Sequence, residues 1–331
     1  IAQPRPRYFA FIGSSGLEIG TIGDLLAHTY DINLAVDARA GQKDLLKLTV
    51  GYTPISGAAL PFFIAVEERI FQKHGFEVSP VFMGGSPLIN SAIIAGEFPI
   101  GYTGGGAVIS SRLGGSDLVA IASPLPVLTI DGWAKPEIKS IGDLRGKRVG
   151  VTRFGASSYF SALSMLEAGG VKPNEVTFIQ NGGVGESLAA LMGGRVDVCM
   201  IGYPFGLNAK NAGFHLLFRP SQTEYGLFPT AVIAARESWL KDAKNRRVAV
   251  DFLRALHEGL VLSRENATVT KRALKKFTRV DDDASDTDGH RSPQLGVAEV
   301  LKLGADERYV HALAMTGGNQ LRAARLLGLS E

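Results

Sequence analysis

Residues 46–106 read LKLTVGYTPISGAALPFFIAVEERIFQKHGFEVSPVFMGGSPLINSAIIAGEFPIGYTGGG, and the rhythm of this stretch decides the fold. LKLTVGYTP is a short apolar strand that ends in a Thr-Pro turn. AALPFFIAVEERIFQKHG spaces its apolar residues as one amphipathic helix closed by Gly75. FEVSPVFMGGS is a second strand running into a Gly-Gly turn, SPLINSAIIAGE a helix with Ser86 as its N-cap, and FPIGYTGGG a third strand. Strand, helix, strand, helix, strand with short Gly-rich joints predicts a parallel sheet wound with helices.

The same grammar returns further on. KRVGVTRFGASS (147–158) is a strand and a turn, SYFSALSMLEAGG (158–170) a helix, NEVTFIQNGG (174–183) a strand, GESLAALMGGRV (185–196) a helix and VDVCMIGYPF (196–205) a strand. Between the two units, DGWAKPEIKSIGDLRGK (131–147) is polar, contains Pro and reads as a crossing. GLFPTAVIAARESWL (226–240) is a strand leading into a long helical run over 242–277. The expected organisation is an N-terminal extension (1–45) with one helical stretch at 20–30, GTIGDLLAHTY. A first lobe follows (46–130 and 231–280), then a second lobe (131–230). The charged linker DDDASDTDGHRS (281–292) opens a C-terminal helical segment that runs to residue 331.

Composition narrows the function. The chain has 331 residues, 45% hydrophobic and 20% charged, which suits two domains or one two-lobed fold with a substantial core. A net charge of +3 is mild, and sequence-wide basicity is no nucleic-acid signature unless it clusters. The single cysteine, Cys199, excludes an intramolecular disulfide framework and a multi-cysteine metal site. It lies in an apolar strand and reads as an inert core thiol. No apolar run approaches the ~18 residues of a membrane span. The opening IAQPRPRYFAF lacks the uninterrupted apolar core of a signal peptide.

Ligands of open α/β sheets sit at the carboxyl ends of the strands. Here those ends are Thr53–Ser56, Gly84–Ser86, Tyr102–Gly106, Thr152–Ser158, Asn181–Gly183 and Gly202–Phe205. Gly lets a ligand approach the backbone, and Ser or Thr before a helix leaves N–H donors at the positive end of its dipole. Machinery for catalysis is missing from the pattern. No loop joins a nucleophile to a His and a carboxylate, and the six His are scattered without metal-ligand spacing. GGGAVISS and NGGVGES lack both the Lys-Ser/Thr ending of a P-loop and the acidic residue of a dinucleotide turn. Asp197 precedes its strand, away from the ligand end, and reads as structural. The sum points to binding rather than catalysis.

KLTVGYTPISGAALPFF…GYTGGGAV (47–108), IKSIGDLRGKRVGVTRFGASSYF (138–160) and ESLAALMGGRVDVCMIGYPF (186–205) together resemble the substrate-binding proteins of ABC importers, in the SsuA/THI5-like (NMT1-like) group. The resemblance covers about residues 46–280. It implies an α/β fold of the periplasmic-binding-protein type II: two lobes with parallel-rich sheets, joined by two crossings and closing on a ligand. It implies a small-molecule ligand (sulfonate, carboxylate or pyrimidine-like), an ABC permease and ATPase as partners, and an extracytoplasmic place of work. It implies no cofactor and no metal. Carried over block by block, the ligand would touch Thr53, Ser56, Gly85, Ser86, Tyr102 and Thr103 from the first lobe. Gly155, Ala156, Ser157, Ser158, Gly183 and Tyr203 would come from the second, and Thr230 from the second crossing. Arg153, beside the GASS helix start, would favour a sulfonate or carboxylate.

The flanks resemble other families. PRPRYFAFIGSSGLEIGTIGDLLAHTYDINLAVDARA (4–40) is similar to part of the N-terminal region of PLP-dependent group II decarboxylases, without their cofactor-binding lysine motif. YVHALAMTGGNQLRAARLLGLS (309–330) resembles the start of a Fis-type helix-turn-helix whose recognition helix would follow Ser330. A ligand-sensing regulator with a C-terminal DNA-binding element is therefore the alternative reading, although no nucleic-acid partner is expected. A thiamine-pyrimidine-type enzyme is disfavoured, because that family's cysteine-rich motif is absent from the sequence.

Overall fold

A computed structural model describes residues 8–13, 16–21, 45–125, 127–223, 226 and 228–280. The first described element is a two-stranded antiparallel hairpin of β1 (Tyr8–Gly13) and β2 (Gly16–Thr21), with Tyr8 opposite Thr21 and Gly13 opposite Gly16. YFAFIG is rich in the aromatic and branched residues that favour strands. The helix expected from Gly20 thus begins inside a strand, and its residues 22–30 lie outside the described residues, as do the linker and helix expected over 281–331.

The first α/β block comprises β3 (Leu46–Tyr52), α1 (Leu60–Glu67), α2 (Ile70–Lys73), β4 (Phe76–Phe82), α3 (Ser86–Ala95), β5 (Ile100–Thr103), α4 (Gly105–Leu113) and β6 (Leu118–Leu125). The chain then crosses to β7 (Asp131–Ala134), β8 (Arg148–Val151), α5 (Ser157–Ala168), β9 (Thr177–Gln180), α6 (Val184–Met192), β10 (Val198–Ile201), α7 (Phe205–Asn211) and β11 (His215–Phe218). A second crossing returns it to β12 (Ala231–Arg236), α8 (Glu237–Leu240), α9 (Ala243–Glu265) and α10 (Ala267–Thr278).

The two sheets share one plan. The first runs β4-β3-β5-β12-β6 and the second β9-β8-β10-β7-β11. In each, the block's first strand pairs in parallel with its second and third. The strand entering from the other block runs antiparallel between the third and fourth. Four strands of each sheet therefore point the same way, which is the parallel-rich α/β architecture expected. Strands β5, β10 and β12 are buried almost throughout because helices cover both sheet faces. Phe62 and Phe63 of α1 are wholly buried against Val50, Tyr102 and Phe252. Burial of each such ring stabilises the fold by about 2–3 kcal/mol.

Some local expectations change. The helix expected over 58–75 is broken into α1 and α2 at Arg69, which takes a left-handed φ of 54°. The run over 242–277 is interrupted at Asn266, whose side chain caps α10 by accepting from Val269 N at 3.1 Å. Ser86 is not the N-cap of α3; Gly85 is, and the Ser86 hydroxyl instead accepts from Gly104 N at 3.0 Å. DGWA, read as part of a crossing, is strand β7 inside the second sheet.

The crossings are laced together. Leu128 N donates to Gly226 O (3.0 Å), Thr230 Oγ1 to Val127 O (2.6 Å), and Thr129 N to Thr230 Oγ1 (2.9 Å). Beneath them Leu128, Phe160 and Phe228 form one small apolar cluster, so both crossings rest on α5.

Candidate functional site

A cavity of about 1330 Å³ opens between the carboxyl ends of the two sheets. Its walls include Thr53, Ser56, Gly85 and Ser86 from the first block, and Ala156, Ser157, Ser158, Gly183 and Tyr203 from the second, with Thr230 from the crossing. It runs on between α6 and α7 on one side and α1, α9 and α10 on the other, where Leu260, Lys271 and Phe277 line it. Four of the sequence-selected residues do not line it. Tyr102 is fully buried beneath, its hydroxyl donating to Ala58 O at 2.6 Å, and burial raises its pKa. Thr103 is also buried and donates to Asn90 Oδ1 at 2.9 Å. Gly155 turns the chain before α5 with a φ of 75°. Arg153 reaches across to the first block, where Nε donates to Gly84 O and its methylene chain covers Gly85.

Among the helices that start at the cavity are α3, α5 and α6. Their N-caps Gly85, Ala156 and Gly183 provide no side-chain cap. The N–H groups of a first helical turn have no intrahelical acceptor and lie at the positive end of the dipole. The start of α6 is already faced by its own acid, since a Cβ on Gly183 would lie 2.1 Å from Glu186 Oε2. The starts of α3 and α5 have no such carboxylate in their first turns, but α3 has Pro87 as its second residue and Leu88 N donates to Gly85 O (3.1 Å), so the start of α5, with the N–H groups of Ser157 and Ser158, forms the better anion cradle.

The hydroxyls are less free than the sequence implies. Ser157 donates to Thr230 O (3.0 Å), Ser158 Oγ lies 2.7 Å from Thr152 Oγ1, and Ser56 accepts from Ala58 N (3.3 Å). Gly104 is wedged between two of them, because a Cβ there would stand 2.5 Å from Ser157 Oγ and 2.7 Å from Ser86 Oγ. Gly57 N donates to Tyr203 O at 2.9 Å, a further bond across the cleft. The hydroxyls of Ser56, Ser157 and Ser158 are therefore already engaged within the protein.

Sequence reasoning missed Asp131 and Arg219. Both line the cavity, and Arg219 Nε stands 3.4 Å from Asp131 Oδ2. Burial pushes the Asp131 carboxyl up to about 6 despite the guanidinium. No spacing rule links the two residues; only the strand pairing of β7 with β11 brings them together. Asp197 precedes β10, at the opposite end of the strands of the second sheet. There it accepts from Arg148 Nη2 (2.8 Å) and Lys135 Nζ (2.8 Å), which hold its carboxyl well below the usual range. Among the described residues no group of three His, Cys, Asp or Glu is placed to hold a metal, and no helix is long and apolar enough to cross a membrane.

Two α/β lobes, joined by two laced crossings around a ligand-sized cleft, define the periplasmic-binding-protein fold. The chain belongs to the family described as NMT1/THI5 like, which matches residues 57–267. A relative from Brucella abortus (strain 2308) is 24% identical over 269 residues, 80% of this chain and 81% of its own length. The fold is shared with the periplasmic aliphatic sulphonate binding protein SsuA from Escherichia coli (21% identity, TM-score 0.58, 71% of this chain and 79% of that one). It is shared as well with the alkanesulfonate-binding protein SsuA from Xanthomonas axonopodis pv. citri bound to MOPS (18%, 0.62, 72% and 81%).

Proposed function

We propose that this protein is the solute-binding component of an ABC-type importer. It captures a small organic molecule, a sulfonate, carboxylate or pyrimidine-like compound, between two lobes and presents it to a permease and ATPase outside the cytoplasm. Residues 46–130 with 231–280 form one lobe and 131–230 the other, moving about the laced crossings. The observation that carries this reading is the single cleft into which α3, α5 and α6 all point their N-termini. The same cleft supports binding without catalysis. Neither His nor Cys lines it, Asp131 faces Arg219, and Glu186 covers the start of its own helix.

The test is thermal unfolding of the full chain against a panel of alkanesulfonates, taurine, aromatic carboxylates and pyrimidines. A ligand present at 100 times its Kd stabilises by about 2.7 kcal/mol, a shift of several degrees. If no member of the panel moves the midpoint, the binding reading fails.

A further inference from the structure

Two arginines stand near the cleft, and they are held in different ways. Arg153 spends its Nε on Gly84 O and lays its methylenes on Gly85, so it ties one lobe to the other and does not line the cavity. Arg219 follows β11, which runs in the same direction as β10 because both pair antiparallel with β7. It therefore emerges at the ligand edge of the second sheet. Asp131, the first residue of antiparallel β7, starts at that same edge, opposite Ile201.

We propose that Arg219 is the cation that receives the acidic group of the cleft's ligand, that Asp131 holds its place until then, and that Arg153 serves only as a fastener between the lobes. The proposal rests on the solute-binding reading above and names the residue that sets its ligand class.

The geometry of the pair carries the argument. Arg219 and Asp131 side chains are mostly buried, 21% and 12% exposed, and both form cavity wall. Arg219 Nε approaches Asp131 Oδ2 at 3.4 Å, well beyond the ~2.7–2.9 Å of a charge-assisted bond. Among the described residues Arg219 forms an ion pair with no other side chain, and it is part of the cavity wall. The Asp197 site shows what the same residue types do when they are structural. There one carboxylate takes Arg148 N (2.9 Å), Arg148 Nε (3.0 Å), Arg148 Nη2 (2.8 Å) and Lys135 Nζ (2.8 Å). Asp131 has no such set of short bonds, and its burial outweighs the opposing pull of the Arg219 guanidinium on its pKa. The other cations of the cavity wall, Arg264, Lys271, Lys276 and Arg279, lie on or just after α9 and α10, on the far extension, and Lys276 is paired with Glu67. With Nε turned to Asp131, the edge formed by the two terminal nitrogens of the planar guanidinium suits two oxygens of one sulfonate or carboxylate.

The experiment is calorimetric titration of the full chain with two matched probe pairs, benzoate with benzamide and ethanesulfonate with ethyl methyl sulfone. The wild-type protein is expected to prefer the anion of at least one pair. Arg219→Gln should weaken that anion by about 10- to 100-fold while leaving its neutral partner unchanged. Arg219→Lys, which keeps the charge and loses the fork, should fall between. Asp131→Asn should tighten the anion severalfold, because it releases Arg219 and removes a carboxylate from the cleft. Arg153→Gln should alter anion and neutral probe alike. Equal loss of anion preference in Arg219→Gln and Arg153→Gln overturns the proposal, as does weaker anion binding in Asp131→Asn. A wild-type protein that binds only neutral probes refutes the role of Arg219 but leaves the solute-binding reading standing. One that binds neither these probes nor the wider panel sinks both.

Discussion

Asp197→Asn separates a structural carboxylate from a functional one, and its cost follows from the structure. The Asp197 side chain is 12% exposed and accepts four hydrogen bonds from Arg148 and Lys135 at 2.8–3.0 Å. These bonds join β7, β8 and the turn before β10, the three interior strands of the second sheet, at the end away from the cleft. Charge-assisted bonds of this kind contribute about 1.5–3 kcal/mol each when water is excluded. Arg148 is 42% exposed, however, and its share must be discounted for solvent screening. Removing one partner of a mostly buried network costs about 3 kcal/mol in net terms. In a body of this size that is a fall in Tm of about 6–12 °C. The carboxyl is held below its usual pKa, so its stabilising effect is present above the unfolded value near 4 and is lost as the pH falls below it. Thermal scans of wild type and Asp197→Asn should thus differ most near pH 7, and the gap should narrow progressively as the pH falls below about 4 towards the depressed folded pKa. A difference at pH 7 below about 0.5 kcal/mol would refute the reasoning, as would a gap that persists unchanged in acid.

Three further predictions follow from particular contacts. Gly106→Val places a Cβ 2.1 Å from the Phe160 ring, beneath both crossings. This overpacking should cost about 1–3 kcal/mol, read as a lower urea midpoint with an unchanged slope. Asp131 has the opposite sign to Asp197. Its folded pKa is raised to about 6, so native stability should decline as pH rises from about 4 to 6. Asp131→Asn should flatten that decline in a series of thermal scans. Cys199 is wholly buried and its thiol pKa is pushed up by desolvation, so a thiol reagent should leave the native protein unlabelled and react stoichiometrically once denaturant unfolds it.

The architecture was legible where a strand, a turn and a helix follow one another within about 20 residues. β5, β8 and β10 are buried at nearly every position because both sheet faces are covered, whereas β3 is buried only at Leu48 and from Val50 on, and both patterns are legible without tertiary context. What did not survive was the mixed part of each sheet. β7 is only DGWA, four residues with a Gly and a leading Asp, and nothing local marks it as a strand. Its place is fixed by β10 and β11 on either side, which a linear reading does not see. The break at Arg69 was hidden for a similar reason, since the apolar spacing of α1 and α2 reads as one helix and only the left-handed residue divides them.

The site divides along the same line. Loops that end strands and start helices are local features, and ten of the fourteen residues chosen from them line the cavity. Their individual roles depend on partners distant in sequence. The Ser157 hydroxyl looks free in GASS, yet it is spent on Thr230 O, because the crossing that carries Thr230 passes over α5. Arg153 looks like the anion receptor for the same reason of proximity, yet Gly84 O from the other lobe claims it. Arg219 looks like an ordinary loop residue until β7 and β11 pair and set it against Asp131. Helix starts supply positive potential that any small anion can use, so they set the class of ligand weakly. A guanidinium loosely held by a buried acid adds a directional demand. For that reason the choice between acidic and neutral ligands rests on the pairing of two strands that the linear sequence does not join.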